Sequence, residues 1–261
     1  MSDLTPTATF NYLAPLNELK PPGTPYRLND IRDKESNIGL DVSGWDALNE
    51  VPTVFQNWED DGAIRDEYYA DIIRLLKDRL GATRVTIFDH TVRRRVKETE
   101  HIPDQPGNRQ PVYRVHVDQT PTSGRDRIYR HDPADADRLL GTRTQIINVW
   151  RPLRGPVLDA PLGLCHRQSM ADSDFVESEL RYPDRLGSTY LIHHNPEHQW
   201  YYLTKMQPDE ALLIKCYDNK LPKMIAAHTG FSLEVPRDVQ YEPRQSIEVR
   251  CIVYYEDQPL I

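Results

Sequence analysis

Three groups of residues in this chain could act together on a metal ion and an organic acid. His116 and Asp118 stand two apart in Tyr113-Arg-Val-His-Val-Asp-Gln119. In a strand, side chains at that spacing leave the same face and can converge on one ion. His228, in Ala226-Ala-His-Thr-Gly230, lies 110 residues beyond Asp118 (228 minus 118), which is enough chain for the intervening strands of a barrel to return to the same place. Two imidazoles and one carboxylate can fill one face of a ferrous ion and leave the opposite positions open for a cosubstrate and O2. Downstream, Pro243-Arg-Gln-Ser-Ile-Glu-Val-Arg250 alternates, placing Arg244, Ser246, Glu248 and Arg250 on one face and Gln245, Ile247, Val249 and Cys251 on the other. If the polar face lines a cavity, a guanidinium can grip a carboxylate through two parallel hydrogen bonds while a hydroxyl two residues on adds a third. Arg250 points to the same side as Arg244 in a regular strand, so both are candidates for that grip.

His101, His166, His193, His194 and His198 compete as ligands. The adjacent pair His193 and His194 faces opposite sides of a strand and reads as hairpin polarity. A zinc hydrolase would carry a His-Glu-x-x-His helix, and the chain has none. Asn148 and Trp150 share one strand face and could touch a cosubstrate or substrate. Trp200 and Tyr202 share another, where they either wall a substrate pocket or fill the barrel.

Elements that could position these residues follow from the patterning. Ile64, Tyr68, Ile72, Leu75, Leu76 and Leu80 recur at helical spacing, and Gly81 stands where a left-handed cap belongs. A shorter helix is signalled by Asp132 as N-cap, Pro133 at the first helical position and Gly141 beyond Leu140. The runs 84–88, 145–150, 188–193, 199–204, 211–216 and 246–253 are short and rich in β-branched and aromatic residues, as strands are. Strands do not alternate with long helices, so a parallel α/β sheet is excluded. The expected fold is mainly β, a jelly roll with an α-helical N-terminal layer. Residues 1–45, broken at Pro21-Pro-Gly-Thr-Pro25, are expected to form an extended arm that runs across the surface or covers a sheet edge, with 46–261 as a single domain. The 154–185 connection is too long for an economical turn and is expected, with 95–110, to supply mobile loops over the site.

A formal net charge of -8 and a pI near 5.6 argue against a nucleic-acid partner. Cys165, Cys216 and Cys251 are odd in number and set among apolar neighbours, which predicts reduced core thiols and a cytoplasmic protein. No apolar stretch approaches the roughly 20 residues of a membrane span.

Phe88-Asp-His-Thr-Val-Arg-Arg94, Val115-His-Val-Asp-Gln-Thr120, Ile147-Asn-Val-Trp-Arg-Pro-Leu153, Gln199-Trp-Tyr-Tyr202 and Ser246-Ile-Glu-Val-Arg250 occur in an order similar to that of the hydroxylase/desaturase family. That family, typified by fungal gibberellin desaturase, belongs to the Fe(II)/2-oxoglutarate-dependent dioxygenase superfamily, and the resemblance spans roughly residues 35 to 255. It implies a double-stranded β-helix of the cupin-like kind. It also implies Fe(II) held by His116, Asp118 and His228, with Arg244 and Ser246 on the 2-oxoglutarate carboxylate. The implied reaction consumes O2, releases succinate and CO2, and hydroxylates or desaturates a small natural-product-type substrate. Two rivals remain: a cupin-like binding protein, and an iron oxygenase that does not use 2-oxoglutarate.

Overall fold

The computed structural model describes residues 6–13, 24–33, 37–96, 109–182 and 185–260. His101 and most of the expected 95–110 loop lie outside them, as does most of the break at 21–25. Strands β1 (Thr7–Phe10), β2 (Thr24–Asp30) and β3 (Trp45–Leu48) come first. A helical run follows through α1 (Asp61–Ala63), a π-helical turn at Ile64–Tyr68 and α2 (Tyr69–Leu80). Next are β4 (Arg84–Arg94), β5 (His116–Val117), α3 (Pro121–His131) and α4 (Ala136–Leu140). The rest is almost all strand: β6 (Thr142–Pro152), β7 (Leu162–Cys165), β8 (Phe175–Tyr182), β9 (Arg185–Ile192), β10 (Trp200–Tyr202), β11 (Ala211–Asp218), β12 (His228–Gly230) and β13 (Gln245–Pro259). Two sheets result, ordered β1-β2-β10-β7-β12-β5-β9-β8 and β3-β11-β6-β13-β4, and together they form the double-stranded β-helix.

The five-stranded sheet is buried on both faces, and its alternation shows how. Ile146, Trp150, Leu212, Ile214, Ile252 and Tyr254 point into the space between the sheets. Ile147, Val149, Leu213, Ile247, Val249 and Cys251 point the other way, onto Ile64, Tyr68, Ile72 and Leu76 of the helical layer. Gly81 ends α2 at φ 69°, the left-handed conformation glycine adopts without steric cost. A period of two on one element thus meets a period near four on another.

Two expectations need correction. Asp132 does not cap the second helix, because its carboxylate accepts from Arg84, from Thr86 and from the Tyr254 hydroxyl at 2.6 Å. That helix starts at Ala136, with Asp135 before it. A helix that periodicity does not reveal, α3, precedes it, held by a reciprocal cap between Thr120 and Ser123 and by Pro121 in the first turn. The 154–185 segment is not a lid. It contains β7, whose four residues are all buried between β10 and β12, and β8, which pairs with β9 over its whole length. The described parts of the N-terminal arm lie along the edge of the larger sheet: β2 runs parallel to β10, and Phe10, Tyr12 and Leu28 are core residues.

At one end of β11, Asp218 carries a buried charge cluster. Its Oδ2 accepts from Arg143 (2.8 Å), Gln145 (2.8 Å) and the fully buried Lys215 (3.0 Å), and Lys215 also donates to Asp41 at 2.7 Å. Burial alone would raise the Asp218 carboxyl, but the Arg143 hydrogen bond and the Lys215 charge outweigh it and bring the pKa down to about 2. Removing one partner of such a pair strands the other, so Asp218→Asn should cost about 3–5 kcal/mol at neutral pH. A depressed carboxylate pKa contributes stability that is present above the unfolded value of 3.8 and is lost as pH falls through about 2. Urea unfolding should therefore show the gap between parent and variant narrowing as pH is lowered across that window. A gap independent of pH would place the cost in packing instead.

Candidate metal and cosubstrate site

β5 lies between β12 and β9, and in the antiparallel pairing of β5 with β12 His116 stands directly opposite His228. The two imidazole centroids are 4.4 Å apart. Asp118 follows just beyond the end of β5, with Oδ1 3.4 Å from His116 Nε2. One ligand atom from each of His116, Asp118 and His228 lies within 4.8 Å of the others, and among the described residues they form the only such group of three.

The tautomers are fixed by geometry. His116 Nδ1 lies 2.7 Å from the Arg114 carbonyl and His228 Nδ1 lies 3.1 Å from the Ala226 carbonyl. A carbonyl can only accept, so each Nδ1 carries the proton and each Nε2 keeps a lone pair for a cation. Burial and the neighbouring His116 push the His228 imidazole below its ordinary pKa. At His116 burial acts in the same direction, but the Asp118 hydrogen bond and charge override it, so its pKa is raised. Burial would raise Asp118 too, yet the Arg250 guanidinium and the His116 contact hold it well below the carboxylate range. A carboxylate beside two imidazoles is a donor set that suits ferrous iron, and the three candidate ligand atoms converge within 4.8 Å.

These residues line a cavity of about 50 Å³ together with Trp150, Arg244 and Glu248. Arg244 is 3% exposed. Its Nε donates to Ser246 Oγ at 3.2 Å, its Nη1 donates to the Ala160 carbonyl at 2.9 Å, and the guanidinium lies over the Trp150 ring at 5.2 Å. Among the described residues no carboxylate lies within ion-pair distance of it. Burial lowers its pKa to about 10. A buried cation held only by neutral groups is costly to maintain and suits an anionic ligand.

Arg250 differs in its partners. Its Nε donates to Asp118 Oδ2 at 3.0 Å, Nη1 to Thr91 Oγ1 at 3.0 Å, and Nη2 to Glu248. Asn148 is fully buried and donates its Nδ2 to the same Asp118 oxygen at 2.8 Å. Trp200 and Tyr202 lie elsewhere. Trp200 is packed 4.2 Å from Phe10 with its indole N–H on Tyr12, and Tyr202 sits edge-on to Phe231, so they fill the core and do not line this cavity. Glu248 lines the cavity and Thr91 and Asp89 contact Arg250, three positions that the sequence does not single out as candidates, although alternation puts Glu248 on the polar face of β13.

A family model described as "YDMC: Oxidoreductase/YMDC permease-like domain" matches residues 8–254. The hydroxylase/desaturase efuI of Hormonema carpetanum is 35% identical over 90% of this chain and 84% of its own length. The Fe(II)/2-oxoglutarate-dependent dioxygenase nvfI of Aspergillus novofumigatus is 30% identical over 87% of this chain and 82% of its own. A solved structure of the iron and alpha-ketoglutarate-dependent endoperoxidase NvfI superposes with a TM-score of 0.82 at 26% identity, covering 95% of this chain and 97% of that one. The fold and the His-Asp-His group are those of a non-haem iron oxygenase. The chain belongs to the hydroxylase/desaturase family of Fe(II)/2-oxoglutarate-dependent dioxygenases. Membership of a family of oxygenases favours catalysis over the binding-protein reading.

Proposed function

We propose that His116, Asp118 and His228 hold Fe(II), that Arg244 and Ser246 hold the far carboxylate of 2-oxoglutarate, and that the enzyme hydroxylates or desaturates a small organic substrate of natural-product type. The observation that carries this reading is the buried guanidinium of Arg244, held only by neutral groups in the same cavity as three convergent ligand atoms. Fe(II) with 2-oxoglutarate and O2 supplies an oxidant able to take hydrogen from an unactivated C–H bond, while 2-oxoglutarate leaves as succinate and CO2.

The chain's own contribution is placement. The Ala160 carbonyl, Ser246 and the Trp150 ring hold the Arg244 fork in one plane before any ligand arrives, so little side-chain freedom is lost on binding. Val112 and the buried Leu162 supply apolar wall beside it. A second, smaller cleft borders Asp118 and carries Arg127 and Arg130 of α3 opposite Leu180 and Leu186 of the β8–β9 hairpin. Leu186 is 64% exposed, and this apolar rim beside a lining of mixed charge, with Asp126 next to Arg127, supports an approach for an apolar substrate bearing a few polar groups.

The acidic charge supports a substrate other than nucleic acid. The three buried free thiols support a reducing, cytoplasmic setting, and no helix among the described residues is long and apolar enough to cross a membrane. We treat 46–261 as the oxygenase domain and 1–45 as an arm whose described strands extend its larger sheet. Anaerobic addition of Fe(II) and then 2-oxoglutarate tests the assignment. A weak visible charge-transfer band should appear only after the second addition. Metal binding without the band would indicate an iron oxygenase of another kind, and no stoichiometric metal binding would refute the reading.

A further inference from the structure

We propose that Arg250 and Asn148 are positioning residues which clamp one oxygen of Asp118, so that the carboxylate meets the metal through the other oxygen alone. The proposal rests on the metal assignment above and adds to it a division of labour between the two arginines of β13.

Asp118 Oδ2 accepts from Asn148 Nδ2 at 2.8 Å and from Arg250 Nε at 3.0 Å. Oδ1 is the oxygen that approaches His116 Nε2. Two donors directed at Oδ2 occupy its lone pairs, so a carboxylate that chelated the metal through both oxygens would have to break them. One-oxygen coordination leaves an additional position at the metal for cosubstrate or O2. The donors come from the sheet facing the ligands: Asn148 is on β6 and Arg250 on β13, whereas His116 and His228 are on β5 and β12 of the larger sheet. The clamp therefore also fixes the distance between the two sheets at the metal.

Arg250 is itself immobilised from three directions, by Asp118 on Nε, Thr91 and Asp89 on Nη1 and Glu248 on Nη2. Every nitrogen of its fork is engaged, two of the three with carboxylates at close range, so it has no paired N–H face to offer a cosubstrate carboxylate. Arg244 contacts only neutral acceptors and has one. Alternation alone leaves the two equivalent, and their partners separate them.

Asn148 provides an independent argument. Its Oδ1 is buried without a hydrogen-bond partner, an arrangement that costs about 1–3 kcal/mol. Flipping the amide would not relieve this, because Oδ1 would then oppose Asp118 Oδ2, one acceptor against another. A core position in this sheet would be better filled by leucine for stability alone. The amide is accounted for by what its N–H does to Asp118.

Isothermal titration of the full chain with Mn(II) under anaerobic conditions, followed by 2-oxoglutarate, tests this in Asn148→Leu and Arg250→Gln. Metal affinity should fall by about 10–100-fold, as outer-shell partners of metal ligands typically show, with 2-oxoglutarate affinity of the metal-saturated variants within about threefold of the parent. The visible spectrum of the Co(II)-loaded protein should change in both variants, since it reports ligand geometry without turnover. Asn148→Leu removes an unsatisfied acceptor together with one of the two donors to Asp118 Oδ2, so the two changes offset and Arg250 still serves that oxygen; it should remain folded and decides the matter if Arg250→Gln does not fold. Metal affinity within about twofold of the parent in Asn148→Leu overturns the clamp. So does an Arg250→Gln variant that binds metal normally and loses 2-oxoglutarate. A parent chain that fails to bind Mn(II) would instead defeat the metal assignment itself.

Discussion

Replacing His228 by alanine is expected to abolish tight Fe(II) binding and, with it, release of succinate from 2-oxoglutarate. Two of three protein ligands would remain, and affinity should drop by more than the ~10–100-fold produced by outer-shell changes. A solvent-facing polar side chain is removed at little structural cost, but His228 is 2% exposed and its Nδ1–H satisfies the Ala226 carbonyl. Leaving that acceptor unpaired costs about 1–3 kcal/mol, which for a chain of this size lowers Tm by about 2–12 °C. The apo variant should therefore remain folded by circular dichroism and melt somewhat earlier. The sharper contrast is linkage. Mn(II) at about 100 times its Kd should stabilise the parent by about 2.7 kcal/mol and leave the variant unmoved. A variant that still makes succinate at the parental rate would remove His228 from the metal site.

The course of the chain explains why some of this was legible beforehand and some was not. A period of two put Arg244, Ser246, Glu248 and Arg250 on one side of β13 and the apolar residues on the helical layer, and both assignments follow from the pleat alone. The same period said that Trp200 and Tyr202 share a face, but not that β10 would be flanked by β2 and β7 in a region filled by Phe10, Tyr12 and Phe231. That is a matter of non-local pairing, which no local pattern encodes. Short strands were the other blind spot. Leu162–Cys165 offers four residues inside a long connection, too few to show a period, yet it occupies the middle of the larger sheet. Helix α3 buries only Ser123, Gly124 and Ile128, so its hydrophobic stripe is almost absent. A Cβ at Gly124 would collide with the Tyr217 ring, so the helix packs through a missing side chain rather than an apolar one. Its legible signal was the cap, Thr120 before Pro121 with Ser123 three residues on. His116, Asp118 and His228 are recognisable as candidate ligands by type and spacing; the tautomers and the different partners of Arg244 and Arg250 depend on Arg114, Ala226, Ala160, Trp150, Thr91 and Asp118, which distant parts of the chain bring in.

Arg244→Lys should weaken 2-oxoglutarate binding by about 10–150-fold, the equivalent of the 1.5–3 kcal/mol carried by a hydrogen bond to a charged group. The guanidinium is planar and stacked on Trp150, with Nε donating to Ser246 and Nη1 to the Ala160 carbonyl, so its orientation is set by the protein. An ammonium at that depth keeps the charge but not the fork, cannot stack in the same way, and is more strongly hydrated, so burying it costs more. Burial already lowers the arginine pKa to about 10, and a lysine in the same surroundings would give up its proton far more readily. Part of the loss would therefore appear as a variant that binds the dicarboxylate better at lower pH, where the substituted side chain is charged; the parent should show no such gain. Ser246→Ala provides the calibration: it removes one neutral hydrogen bond worth about 0.5–1.5 kcal/mol, and so should weaken binding by about 2–12-fold. Both effects can be read from the charge-transfer band during anaerobic 2-oxoglutarate titration of the Fe(II)-loaded protein, with metal affinity measured separately to show that the ligand triad is intact. Unchanged 2-oxoglutarate affinity in Arg244→Lys, alongside a loss in Arg250→Gln, would transfer the anchor to Arg250 and with it reverse the roles assigned to the two ends of the polar face of β13.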